Sequence, residues 1–170
     1  MKHGLVIWLA WTCVALQSTL GIRWNIAGVM PDVAVVFVCF WALQRSFLSL
    51  SFAALGLGVA CDVFSGAPLG FHGLSLCLCA FGVRQTTGAF SRGGIVFFGS
   101  VVALVTVAHH GLMYGMLWGG RGDAFFSSWA TASLLPTGFI TGLVAVLSYP
   151  VLCRLEAWVQ PPRSGALLWN

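Results

Sequence analysis

Residues 56–75 read GLGVACDVFSGAPLGFHGLS. Asp62 follows a run of small and apolar residues, Phe47 to Cys61, that has the look of a membrane crossing, and no Lys or Arg lies within the quoted stretch. A carboxylate is costly at such a place, so it must either find a partner inside the protein or reach water. Whichever it does decides how the neighbouring segments are arranged.

The surrounding composition identifies the solvent. Of 170 residues, 59% are hydrophobic and 7% are charged. Mean hydropathy is +0.94, whereas soluble domains carry about 25% charged residues. The chain reads as an all-α integral membrane protein. Apolar runs recur from Gly4 to Val151, which is not the pattern of a cleaved signal peptide ahead of a soluble domain. A single polytopic membrane domain over residues 1–170 is expected.

Six spans follow from the hydropathy pattern: Gly4 to Leu20, Asn25 to Gln44, Phe47 to Phe64, Pro68 to Thr86, Gly94 to Trp118 and Trp129 to Val151. Each is near the ~20 residues that cross a hydrocarbon core. The fourth is purely apolar only as far as Val83, so a re-entrant segment is an alternative there. With the N-terminus in the cytoplasm, Lys2, Arg45, Arg84, Arg92, Arg154 and Arg163 fall inside, and Arg23 and Arg121 outside. Six against two is the expected asymmetry of basic residues. Both termini are then cytoplasmic. The net charge of +4 comes from scattered residues and speaks to topology, not to nucleic acid. Cys13, Cys39, Cys61, Cys77, Cys79 and Cys153 lie in or beside apolar runs without a CxxC pair, and read as small buried hydrophobes.

This topology gathers the unusual polar residues on the outer side: Asp32, Asp62, His72, Arg23, Arg121 and Asp123. Asp32 follows Pro31, a residue suited to a first helical turn, and reads as a helix cap. Asp62 stands at the C-terminal end of its helix, where the dipole opposes a negative charge. Ala54, Gly58, Cys61 and Ser65 share one side of that helix with Asp62 at the edge, while Phe52, Leu55, Val59 and Val63 form a bulkier side. The small side is expected to face protein and the bulky side lipid. Candidate partners of Asp62 are Arg23, His72 and the free N–H groups that open the fourth helix; the alternative is a carboxylate that snorkels to the outer water.

Gly111, Gly115 and Gly119 are spaced four apart, as are Gly138 and Gly142, giving two GxxxG-type faces that can pack on each other or on another protein's helix. No catalytic, cofactor-binding or metal-ligating set stands out. His109 and His110 point about 100° apart on a helix and read as packed, hydrogen-bonded histidines. Ser75, with His109 as a conceivable base, is similar to the serine of rhomboid proteases but lacks the second glycine of their GxSG pattern. The RGD at Arg121 to Asp123 reads as a chance tripeptide in a glycine-rich turn.

Met30, Pro31 and Asp32, a short turn with Arg45, and then Gly58, Asp62, Ser65, Gly66 and Gly70 together resemble the rod shape-determining membrane protein family MreD. The resemblance is specific from about Met30 to Gly82. It implies a non-enzymatic scaffold of the cell-wall elongation machinery, in the bacterial inner membrane, that binds the bitopic protein MreC. Through it the scaffold would be linked to MreB filaments and to a RodA-type glycosyltransferase with its penicillin-binding transpeptidase. The family is also similar in fold to the substrate-binding subunits of energy-coupling-factor transporters, six-helix bundles with an outward pocket. The rival expectation is therefore a vitamin-like small-molecule binder in a transporter. Those subunits tend to carry AxxxA in the first helix, whereas Ala10 and Ala15 here have the wrong spacing.

Overall fold

Val33 to Ala42 is apolar at every position, with no polar side for water. A helix of that kind is stable only when covered all round, and Ala34 through Ala42 are all buried. In the computed structural model, the backbone is described at residues 2–21, 29–44, 46–85, 87–121 and 128–159. Side chains are described at residues 8–17, 29–44, 46–85, 94–116 and 133–159. The described residues form six helices: α1 (Lys2–Gly21), α2 (Val33–Gln44), α3 (Phe47–Ser65), α4 (Phe71–Gln85), α5 (Thr87–Arg121) and α6 (Ser128–Val159). The central helix is α2, which touches each of the other five.

Helix α2 covers only the later part of the expected second span. Helix begins at Val33, not Asn25, and Met30 to Asp32 are non-helical. At twelve residues α2 is about 18 Å long, short of a ~30 Å core. Its N-terminal end is met by Gln17 and Thr141 of other helices instead of lipid. The fourth helix also starts later than expected, at Phe71 rather than Pro68, because Gly66 and Gly70 both take positive φ (70° and 97°) and turn the chain between α3 and α4. In α5 the helix reaches back to Thr87 across a kink at Gly94 (φ 62°, ψ −163°). The last helix runs on past Val151 to Val159 and accommodates Pro136 and Pro150.

Among the described residues, three helical stretches are long and apolar enough to cross a membrane: Phe47–Ser65, Gly94–Met116 and Ser133–Val159. Large apolar side chains stand on the outside. Trp8, Leu48, Phe52, Leu104, Leu135 and Leu147 are exposed, an arrangement that suits hydrocarbon and not water. The bulky side of α3 behaves as expected, with Phe52, Leu55, Val59 and Val63 all exposed, while Ala54 and Gly58 are buried. Ser65 departs from the expectation and is exposed, since α3 ends there.

Two helix pairs are brought together by glycine. In α3 and α4, Gly58 lies directly on the backbone of His72 and Gly73. In α5 and α6, Gly138 and Gly142 pack against Ala103 and Gly99. The two glycine faces anticipated in the last helices therefore do not meet each other. A Cβ at Gly142 would lie 2.8 Å from the Gly99 carbonyl oxygen and 3.0 Å from the Ala103 Cβ, whereas one at Gly111 or Gly115 would meet nothing within 4 Å. Gly119 lies in α5, with its surroundings outside the described residues. Gly142→Val is accordingly expected to destabilise by about 1–3 kcal/mol through overpacking, read as a lower melting temperature in detergent. Gly111→Val should leave that temperature nearly unchanged.

Candidate functional site

Asp62 occupies the last turn of α3, where its own helix repels it, and it is 1% exposed. The first turn of α4 compensates. Gly70 N–H donates to Asp62 Oδ2 at 2.6 Å and His72 N–H donates to Oδ1 at 3.0 Å. His72 Nδ1 is 2.7 Å from the same Oδ1. The carboxylate thus sits where orphan N–H groups and the positive end of a helix dipole favour a negative charge. The turn geometry makes this reach possible: Gly66 caps α3 in the left-handed conformation, and Gly70 adopts a φ that L side chains rarely take. Ser65 adds a long bond from Oγ to the Asp62 carbonyl, 3.4 Å.

A second polar junction surrounds the start of α2. Asp32 Oδ1 accepts from Val35 N–H at 3.2 Å, the geometry of a helix cap. Gln17 of α1 clasps the same end, accepting from Val33 N–H at 2.9 Å and donating to the Pro31 carbonyl at 2.6 Å. Pro31 itself precedes the helix instead of opening it. From α6, Thr141 Oγ1 accepts the Asp32 N–H at 3.0 Å. The other carboxylate oxygen, Asp32 Oδ2, faces α5, 3.7 Å from His109 Nε2 and 3.5 Å from His110 Nε2.

His109 links the two junctions. Its Nδ1 lies 2.8 Å from Ser75 Oγ of α4, and its ring centroid is 5.8 Å from that of His72. Asp62, His72, His109, Ser75, Asp32 and His110 therefore form one polar layer that joins α2, α3, α4 and α5. His109 is buried and bonded. Ser75 is 0% exposed, and its Oγ is taken up by His109. No group of three His, Cys, Asp or Glu side chains among the described residues converges as metal ligands.

Beside this layer opens a cleft of about 560 Å3, between the 65–68 turn, the first turn of α4 and the end of α5. His72, His110, Met113, Tyr114 and Met116 are among its walls.

The family model for rod shape-determining protein MreD matches residues 2–157. The chain belongs to the MreD family. Its role is therefore in rod shape determination, in a family that is a shape-determining structural component, and the apolar helices make it a membrane protein. No curated protein and no solved structure matches the chain.

Seen against the structure, the residues that carry the MreD resemblance are those that build the α3–α4 corner. Gly58 permits the close approach, Asp62 ties the two helices, and Gly66 and Gly70 supply the turn. Pro31 and Asp32 belong to the other junction. Arg23 and Asp123 lie outside the described residues and Arg121 is described only in its backbone, at the end of α5, so Arg23 is not placed as a partner of Asp62. Gln17 and Thr141 are contributors that sequence reasoning passes over. Each is a polar side chain in an otherwise apolar run, a signal that could have singled them out, but nothing local says that both converge on Asp32.

Proposed function

We propose that this MreD-family chain is a non-catalytic scaffold of the cell-wall elongation complex. It crosses the inner membrane six times with both termini in the cytoplasm and binds an MreC-like bitopic partner through its helices. Through that partner it is linked to the peptidoglycan-synthesising pair, a RodA-type glycosyltransferase and its transpeptidase, and to MreB filaments. The polar layer holds the bundle in one shape so that its outer helices present a fixed surface.

The observation that supports the partner reading best is on α5. Gly111 and Gly115 turn outward, with open space where a Cβ would stand, and exposed Leu104, Ala108 and Leu112 continue that face. A small-residue groove between larger apolar side chains lets a second transmembrane helix approach closely. None of the described residues fills it, unlike the Gly138 and Gly142 face. The partner's single span is expected to lie there.

The test is recovery of the partner from mild detergent. The wild-type chain should bring down a bitopic MreC-like protein, and Gly111→Leu with Gly115→Leu should lose most of it while melting at the wild-type temperature. Undiminished recovery would place the partner elsewhere. The second reading, a small-molecule-binding transporter subunit similar in fold to those of energy-coupling-factor transporters, is favoured by the size of the cleft, which is that of a ligand pocket. Recovery of an ATPase-containing complex would decide for it. Against it stands α1, where Ala10 is fully buried and the alanine spacing is wrong for docking a coupling protein.

A further inference from the structure

The cleft has a chemical character of its own. Asp62 accepts every donor that faces it, including His72 Nδ1 at 2.7 Å. With Nδ1 turned to the carboxylate, Nε2 is the ring nitrogen that Asp62 does not engage. His72 lines the cleft. Met113 and Met116 add two polarizable sulfurs. Phe71 and Tyr114 add two aromatic rings from different helices, α4 and α5. Neither Lys nor Arg is among the described lining residues, and behind the two histidines stand the carboxylates of Asp62 and Asp32. Sulfurs, ring faces and nearby carboxylates suit a cation and disfavour an anion. The volume, about 560 Å3, suits a molecular head group more than a bare ion. Alongside, Phe64 and Leu69 are exposed and offer an apolar surface for a chain attached to that head.

We propose that this cleft binds a primary ammonium group, carried by a membrane lipid with an ethanolamine head or by a free amine. The site stands apart from the partner surface on α5, so it can fail while the scaffold reading holds.

The full-length chain would be placed in nanodiscs containing equal phosphatidylethanolamine and phosphatidylglycerol, and its retained lipid identified by native mass spectrometry. Free ethanolamine would be titrated calorimetrically into the chain in phosphatidylglycerol alone. Enrichment of phosphatidylethanolamine by about tenfold, the factor one or two cation–π contacts supply, would assign the site to lipid. Saturable ethanolamine binding without lipid enrichment would assign it to a free amine. Met116→Lys puts a fixed positive charge at the cleft wall and should abolish whichever is seen, while Met116→Leu, nearly equal in volume, should preserve it. If Met116→Lys does not fold, Tyr114→Leu, which removes one ring and no charge, should reduce the enrichment. No selectivity and no ethanolamine binding, or selectivity that survives Met116→Lys or its replacement, would overturn the proposal.

Discussion

Asp62→Ala is expected to lower the stability of the chain by about 3–5 kcal/mol, because each buried donor left without its acceptor costs about 1–3 kcal/mol. The loss arises on the side that remains. Gly70 N–H and His72 N–H would be left without their acceptor, and His72 Nδ1 without its partner. Asp62→Asn should cost less, because the amide oxygen can still accept one of these donors. In a double-mutant cycle followed by thermal unfolding in detergent, Asp62→Ala and His72→Ala should be less than additive, since each breaks the same 2.7 Å contact. Additive losses would mean that the ring contact contributes nothing and that the backbone N–H groups alone hold the carboxylate. A silent Asp62→Ala would reduce Asp62 to a snorkelling charge.

Gly58→Val is expected to be at least as damaging, at or above the upper end of the ~1–3 kcal/mol typical of overpacking. A Cβ at Gly58 would fall on the backbone of α4, 2.7 Å from the His72 carbonyl carbon and closer still to Gly73. No rotamer relieves a collision with backbone, so α4 must move away from α3. The same movement pulls His72 and Gly70 from Asp62, which couples the packing defect to the polar one. Gly82, where a Cβ would meet nothing within 4 Å, provides the comparison: Gly82→Val should leave the melting temperature close to wild type. Equal melting temperatures for the two variants would show that the helices do not approach at Gly58.

Much of the α3–α4 corner is legible in the sequence because its parts are near one another in the chain. The stretch from Gly58 to His72 contains the small residue, the carboxylate, the turn glycines and the histidine, so helical spacing and helix-dipole reasoning suffice to narrow the partners of Asp62 to a few. Asp32 is legible only in part. Its cap role follows from its place after Pro31, but its neighbours Gln17, His109, His110 and Thr141 come from distant helices, and no local rule brings them together. The extent of α2 is misjudged for a related physical reason: hydropathy alone does not separate a helix covered by protein from one covered by lipid, and the difference lies in its length and in the non-helical Met30 to Asp32. The glycine faces of α5 and α6 show the same limit. Spacing identifies small faces, whereas the register of the helix pair decides that Gly138 and Gly142 are used within the chain while Gly111 and Gly115 remain open.

The central claim, that this MreD-family chain maintains rod shape as a scaffold for wall elongation, is tested most directly by depletion in its own host. Rod-shaped cells should become round as the chain is lost. Wild-type protein should restore the rods, and Gly111→Leu with Gly115→Leu should fail to do so although it accumulates to the same level in the membrane. Cells that keep their rod shape on depletion, and lose uptake of a vitamin instead, would contradict it.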